Sequence, residues 1–205
     1  MKVGIIGCGA IANIITTSIV PEDNDIEIAY FFDKDIERAE NLASLAGGVA
    51  ALDFEDMLDN VDLILECASP ASVKEYAPVI LGKGRDMIIM SIGAFMDTDF
   101  YTEVLKIAKE NNAKIHLPSG AVVGLDGIKA VAKFGLKEVN LVTRKSPKSL
   151  GKDIDKEEVL FEGKASEAVK EFPLNINVAA TISMAWDFAR FCAKKLLRQV
   201  FVAKQ

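Results

Sequence analysis

One short segment combines residue types and a spacing that could hold phosphates. Gly7, Gly9 and Ala12 form a G-x-G-x-x-A pattern directly after the apolar run of residues 3–6. In such a turn the first glycine permits a tight bend, the second lets the backbone approach a pyrophosphate, and the alanine keeps the next helix close to the strand. That helix begins with partial positive charge. The pattern predicts a dinucleotide site, with an ordinary strand–helix turn as the alternative. The residues predicted to contact the dinucleotide are Gly7, Gly9, Ala10 and Ile11.

An acidic residue follows at the distance that a dinucleotide site requires. Asp33 lies 24 positions after Gly9, at the end of the second apolar run. A carboxylate there can accept hydrogen bonds from both hydroxyls of an adenosine ribose, and it would repel a 2′-phosphate. NAD is therefore favoured over NADP, although the adjacent Lys34 weakens that preference. The alternative is a solvated aspartate at a strand end.

Small residues follow two further predicted strands. Ala68 and Ser69 come after the run that ends at Glu66, and residues 91–94 come after the run that ends at Met90. Ligands of open α/β sheets bind at the carboxyl ends of the strands. We therefore expect Ala68 and Ser69 to lie against the cofactor.

The remaining chemically capable residues are few. Arg144 and Lys145 end a predicted strand and could bind a carboxylate substrate, with a solvated basic pair as the alternative. His116 is the only histidine, and we interpret it as structural. Cys8 and Cys67 have apolar neighbours and are interpreted as small apolar fillers, with a reactive thiol as the weaker alternative. The histidine and cysteines do not form a set with metal-ligand spacing, so no metal is expected.

Hydrophobic periodicity predicts the elements that position these residues. Short apolar runs alternate with helical patterns up to about residue 118, which is typical of βαβ units. The predicted fold class is α/β, a Rossmann-type doubly wound parallel sheet. The predicted strands are 3–6, 26–32, 61–66, 87–90 and 114–117. The predicted helices are 10–19, 35–46, 54–58, 70–81 and 98–111.

The rhythm changes after Ser119 and predicts a second, smaller α+β domain, whose completeness the sequence leaves open. We predict a dinucleotide-binding domain at 1–118, a partial substrate or dimerisation domain at 119–185, and a divergent basic tail at 186–205. The helices expected after residue 118 are 127–134, 166–172 and 178–184, and the strands are 139–143 and 159–162.

Composition limits the class of protein. Half of the 205 residues are hydrophobic and 26% are charged, which excludes wholesale disorder. A net charge of −6 argues against nucleic-acid binding. The longest nearly uncharged apolar stretch, residues 87–96, is half of the roughly twenty residues that a membrane span needs. We therefore expect neither nucleic-acid nor membrane partners. Three widely spaced cysteines and no signal peptide favour the cytoplasm.

The basic tail is open to three interpretations. Residues 186–205 carry five basic residues against one acid, unlike the acidic remainder. Apolar residues at helical spacing fit a native amphipathic helix docked on the second domain. The same helix could bind a partner or an acidic surface. The abrupt change of composition also fits truncation or out-of-frame translation after about residue 185.

Taken together, the motifs resemble the archaeal and bacterial L-aspartate dehydrogenases. The likeness extends in order from residue 1 to about 185, and its later blocks are more specific than the glycine turn. The segments that carry the resemblance are 3–11, 72–77, 91–95, 119–121, 124–126, 143–145, 161–168, 172–173 and 175–181.

The resemblance implies a homodimeric enzyme that uses NAD or NADP to oxidise L-aspartate to iminoaspartate, a precursor for NAD biosynthesis. It also implies that Ala121 and Asn177 contact the cofactor. The family's general acid/base is a histidine beyond the position of Ala185, where this sequence has none, so the catalytic residue stays unassigned and His116 does not inherit the role. One alternative is a dinucleotide-binding protein without turnover. Another is a reductase of the dihydrodipicolinate or homoserine dehydrogenase type.

Overall fold

The chain folds into two compact units, Met1–Pro118 and Ser119–Gln205. The computed structural model describes residues 1–22, 25–132, 134, 138–147, 153, 155–164, 167, 177–187 and 197–203. The first unit is called unit 1 below, and the second is called unit 2.

Unit 1 is built on a six-stranded sheet in the order β3-β2-β1-β4-β5-β6. Every pairing in it is parallel. This arrangement confirms the predicted Rossmann-type fold. Its strands are β1 (Lys2–Ile6), β2 (Glu27–Phe32), β3 (Val49–Ala50), β4 (Leu63–Glu66), β5 (Asp86–Ile89) and β6 (Ile115–His116). The two-residue β3 was not predicted, because two residues carry no readable periodicity.

Helices connect the strands of unit 1. They are α1 (Ala10–Ile19), α2 (Ile36–Ala46), α3 (Phe54–Asp59), α4 (Pro70–Gly82), a 3₁₀ helix (Ile92–Met96) and α5 (Thr98–Glu110). Helix α4 begins with proline in its first turn, behind the capping residue Ser69. Helix α2 ends at Gly47, which has a left-handed backbone. Capping chemistry of this kind explains why the predicted ends of these helices lie close to the observed ones.

The core of unit 1 lies on both faces of its sheet. Ile5, Phe31 and Ile64 on the three central strands are fully buried, as are Val73 and Ile80 of α4. Burial on both faces requires continuous apolar strands rather than alternating ones. That is the pattern from which the strands were predicted.

Unit 2 contains a three-stranded sheet in the order β7-β9-β8. Strand β9 pairs parallel with β7 and antiparallel with β8. Two helices and one face of β7 enclose a small core of Leu125, Ile182 and Ala185. Among the described residues of unit 2, the elements with assigned bounds are α6 (Leu125–Ala132), β7 (Val139–Lys145), β8 (Glu158–Lys164), α7 (Asn177–Asp187) and β9 (Leu197–Ala203).

The helical interpretation of the tail is wrong for Leu197–Ala203, which is a strand at the centre of this sheet. Apolar residues at helical spacing did not decide the structure here, because pairing with two neighbouring strands supplies more backbone hydrogen bonds than a short isolated helix retains. The helix predicted at 166–172 lies, apart from residue 167, outside the described residues, as does the tail at 188–196.

Within the described part of the chain, no helix has the length and apolar character that crossing a bilayer requires. The same residues contain no group of three or more histidine, cysteine or acidic side chains placed to hold a metal ion.

Candidate dinucleotide site

A cleft of about 250 Å³ opens at the carboxyl ends of β1, β2 and β4. Five of the predicted cofactor residues line it: Gly7, Gly9, Asp33, Ala68 and Ser69. Ala10 and Ile11 lie in the exposed first turn of α1, next to this lining. The other residues of the lining are Ile6, Phe32, Lys34, Arg38, Cys67, Ser72 and Tyr76.

Gly7 occupies a position that only glycine fits. Its φ is +88°, and a Cβ added there would lie 2.5 Å from the Cβ of Ala68. Its N–H donates to the carbonyl of Phe32 at 2.8 Å. The glycine turn is thereby packed against the loop after β4 on one side and bonded to the end of β2 on the other.

Gly9 shows the opposite environment. A Cβ added there would have no protein atom within 4 Å. Gly9 is also the N-cap of α1, and none of the described side chains caps that helix. The first turn of an uncapped helix offers N–H donors and partial positive charge to an anion. The open space and the uncapped helix fit a pyrophosphate.

The Asp33 carboxylate is oriented by two backbone donors. The N–H of Cys8 donates to Oδ2 at 2.6 Å, and the N–H of Asp35 donates to Oδ1 at 2.9 Å. Since a carboxylate offers about four acceptor positions, one remains on each oxygen. This geometry fits a ribose whose two hydroxyls donate to Asp33.

Two cations share this end of the cleft. Lys34 lies 3.8 Å from the Glu75 carboxylate, and Arg38 lies 3.1 Å from that of Asp35. Sequence reasoning missed Arg38, because its position follows from the first turn of α2 and not from a motif. Cations beside Asp33 reduce the penalty for a 2′-phosphate, so the cleft is compatible with NADP as well as NAD.

A buried glutamate joins two loops at the same sheet edge. Glu66 is fully buried, and its carboxylate accepts hydrogen bonds from Ala68, Ser69 and Ser91. Burial raises the pKa of Glu66, and these hydrogen bonds oppose the rise. The sequence analysis treated Glu66 only as the last residue of a strand and did not predict a role for it. A carboxylate at the end of an apolar run was the signal that could have indicated one.

The cysteines at this edge are poor nucleophiles. Burial raises the pKa of Cys8 and of Cys67 to about 12, and the carboxylates of Asp33 and Glu66 respectively add to the effect. Both thiols are therefore protonated at neutral pH. This favours their interpretation as apolar fillers.

In unit 2, Ala121 and Asn177 belong to segments that pack on one core. Ala121 lies in an exposed turn in which the N–H of Val122 donates to the carbonyl of Ser119. Asn177 begins α7, and its carbonyl accepts from the Thr181 hydroxyl at 2.8 Å. Their neighbours Val122 and Val178 both pack against the cluster of Leu125, Ile182 and Ala185.

Arg144 and Lys145 do not form a joint site. They are consecutive residues of β7, so their side chains point to opposite faces of the sheet. Arg144 is exposed and lies 3.7 Å from Glu157. Lys145 is half-buried on the face that carries Val139 and Leu141.

His116 lies on the edge strand β6, away from the residues that line the cleft. Its Nε2 is 3.7 Å from the Asp86 carboxylate, and about half of its side chain is exposed. This placement agrees with a structural histidine.

The fold of unit 1 and its cleft define a Rossmann-type dinucleotide-binding protein. The family model "Homoserine dehydrogenase, NAD binding domain" matches residues 7–118, and the model "Aspartate dehydrogenase, C-terminal" matches residues 126–194. The chain belongs to the L-aspartate dehydrogenase family, as its resemblance predicted. The second match continues past residue 185, so family likeness extends into the segment that composition had set apart.

Individual relatives support the assignment. The L-aspartate dehydrogenase of Methanothermobacter thermautotrophicus is 52% identical over 187 residues, which cover 91% of this chain and 73% of the relative. That of Methanospirillum hungatei is 38% identical and is covered to 72% of its length. The crystal structure of aspartate dehydrogenase from Thermotoga maritima matches all of this chain and 79% of its own, with a TM-score of 0.74 and 36% identity.

The family and its NAD-binding domain identify the chain as an oxidoreductase that uses NAD, and NADP is compatible. The prediction of NAD as cofactor is therefore confirmed. The WlbA dehydrogenase of Chromobacterium violaceum matches with a TM-score of 0.58 at 15% identity, which shows the fold alone. The alternative of a binding protein without turnover is not favoured.

Proposed function

We propose that this chain catalyses the NAD(P)-dependent oxidation of L-aspartate to iminoaspartate. The observation that carries the proposal is the 52% identity to an L-aspartate dehydrogenase across 91% of the chain. Held by the glycine turn and Asp33, NAD(P)⁺ would supply the acceptor for the hydride that leaves Cα of L-aspartate, and the amine nitrogen would lose a proton as the C=N bond forms. Iminoaspartate would then be available to a reaction that builds a pyridine ring, in line with a role in NAD biosynthesis.

Unit 1 supplies the cofactor-binding part of this proposal. Gly7 shapes the turn, Gly9 leaves space for the pyrophosphate, and Asp33 receives the ribose hydroxyls. Ala68 and Ser69 form the opposite wall. Ala10 and Ile11 begin the helix whose N–H groups face the phosphates.

Unit 2 supplies the proposed substrate part. Ala121 and Asn177 are proposed to contact the cofactor, as the family resemblance implies. Arg144 and Lys145 are proposed to bind a substrate carboxylate. Their opposite directions mean that only one of them can do so from a given face. Arg144→Ala and Lys145→Ala should therefore differ, with a higher KM for L-aspartate in one variant only.

Loss of the amine proton calls for a base or for water. His116 on the edge of the sheet does not line the cofactor cleft. We assign no residue of this chain to the proton transfer.

We also propose that the enzyme is a cytoplasmic homodimer and that units 1 and 2 are its two functional domains, the second of which extends past residue 185 to include β9. One face of the unit 2 sheet supports a dimer. The pairing register places Val142, Val159, Val200 and Val202 on that face, and Val142 and Val159 are 46% and 55% exposed. Light scattering of the purified protein tests this state directly.

The decisive experiment follows absorbance at 340 nm with L-aspartate and either NAD⁺ or NADP⁺, beside calorimetric titration of NAD⁺ into the same sample. D-aspartate and L-glutamate serve as controls for the substrate. The proposal is supported if absorbance at 340 nm grows with L-aspartate and the cofactor but not with D-aspartate or L-glutamate. Tight NAD⁺ binding without turnover would overturn it in favour of a binding protein.

A further inference from the structure

The proposed reaction makes no use of the most deeply buried carboxylate at the cleft edge. Glu66, at the end of β4, is fully buried and accepts four hydrogen bonds. Oε1 accepts from the N–H of Ala68 at 2.8 Å, from the N–H of Ser69 at 2.9 Å and from the Ser91 hydroxyl at 2.8 Å. Oε2 accepts from the N–H of Ser91 at 3.0 Å.

These donors belong to two loops that face the ligand edge of the sheet. Ala68 and Ser69 follow β4, and Ser91 follows β5. Ser69 also caps α4, where its hydroxyl accepts from the N–H of Ser72 at 3.2 Å. One carboxylate therefore sets the path of both loops and the start of a helix.

The loop that Glu66 holds is a wall of the cleft. Ala68 lies so close to Gly7 that no side chain fits between them, and Ala68, Ser69 and Ser72 all line the cleft. A shift of Ala68 would change the width of the cleft at the glycine turn. Glu66 lies one layer behind this surface.

We infer that Glu66 is a positioning residue for the dinucleotide: its carboxylate holds the Ala68–Ser69 turn against Gly7 and ties it to Ser91. The cleft then has its binding shape before the cofactor arrives, which lowers the ordering cost of binding. This inference rests on the proposed cofactor site.

The chemistry requires a carboxylate rather than an amide. The two carboxylate oxygens together accept from all four donors, three at Oε1 and one at Oε2. A glutamine keeps one oxygen and presents an NH₂ group to a backbone N–H. At least one buried donor would lose its partner, and the loop would move to restore it.

The test measures NADH affinity by fluorescence titration without substrate, together with thermal unfolding. Glu66→Gln should raise the Kd for NADH about tenfold or more, because buried donors are left unpaired. Ile80→Val and Leu81→Ala are the matched controls: both residues are fully buried in α4 and neither lines the cleft. Ile80→Val should lower the Tm mildly and Leu81→Ala should lower it strongly, and both should leave the Kd for NADH unchanged.

If Glu66→Gln and a control variant of the same Tm have the same Kd for NADH, Glu66 stabilises the fold only, and the inference is overturned. Should Glu66→Gln fail to fold, Ser91→Ala decides, because it removes one hydroxyl donor and keeps the N–H. A rise of about threefold in its Kd supports the inference, and an unchanged Kd overturns it. Turnover of L-aspartate by the wild-type chain is measured separately, so failure of the proposed function remains distinguishable.

Discussion

The cofactor edge of unit 1 and the sheet of unit 2 differ in how far apart along the chain the elements that form them lie. At the cofactor edge, a glycine turn joins consecutive elements, and the three strands that end at the cleft (β1, β2 and β4) were predicted from local apolar runs. In unit 2, β9 comes last in the chain and lies between β7 and β8. A site built from strand ends can therefore be predicted from local sequence, whereas a sheet completed by a distant strand cannot.

The two glycines of the turn give the largest expected effect and test how locally the cofactor edge is determined. Gly7→Ala should lower the free energy of unfolding by about 5 kcal/mol, because about 2 kcal/mol of strain in a left-handed backbone adds to about 3 kcal/mol from the collision with Ala68. Gly9→Ala meets no protein atom and should leave stability nearly unchanged, while NADH binding weakens about tenfold. Urea unfolding and fluorescence titration of both variants separate the effects. Equal loss of stability in the two variants would contradict this account.

Truncation of a core residue in each unit should show that the unit 1 core contributes more stability than the unit 2 core. Ile5→Ala empties a fully buried position between the faces of the unit 1 sheet and should cost about 4 kcal/mol. Ile182→Ala lies in the small unit 2 cluster, where partly buried neighbours can close in, and should cost about 2 kcal/mol. Hydrogen exchange followed segment by segment measures each loss in its own unit. A larger loss of stability for Ile182→Ala than for Ile5→Ala would contradict this expectation.

Cofactor choice should depend on unit 1 alone. Asp33→Asn keeps an acceptor for the Cys8 N–H but removes the charge that opposes a 2′-phosphate, so the NAD/NADP affinity ratio should fall about tenfold.

Arg38→Ala is the matched variant, because it removes a cation from the same end of the cleft. It should raise the NAD/NADP affinity ratio, by a smaller factor. Asp33→Ser should narrow the preference for NAD as well, although it removes the bond to Cys8. A ratio unchanged in all three variants would remove this end of the cleft from cofactor selection.

The smallest effect is expected at the exposed ion pair of Lys74 and Asp97. The hydrogen bond from Lys74 lowers the pKa of Asp97, which also caps α5. Because the folded pKa lies below the unfolded one, the stabilisation is present at neutral pH and is lost as the pH falls through the folded value.

Asp97→Asn keeps a good capping residue and should only flatten the acid side of the stability profile. Urea unfolding at neutral pH and at about pH 3 measures this slope. Lys74→Gln is the control and should flatten it less, because the hydrogen bond from the Phe100 N–H still lowers the pKa of Asp97. A steeper slope in either variant would contradict the sign.

The amino-acid sequence determined the parallel sheet, the glycine turn, Asp33 and the family resemblance. Each of these depends on apolar runs or on residues at fixed offsets, which local physics constrains. The tertiary structure alone decided two other features: the buried carboxylate of Glu66 between two loops, and β9 at the centre of its sheet. Contacts between residues far apart in the chain fix these positions, and neither composition nor periodicity encodes which distant partners will meet.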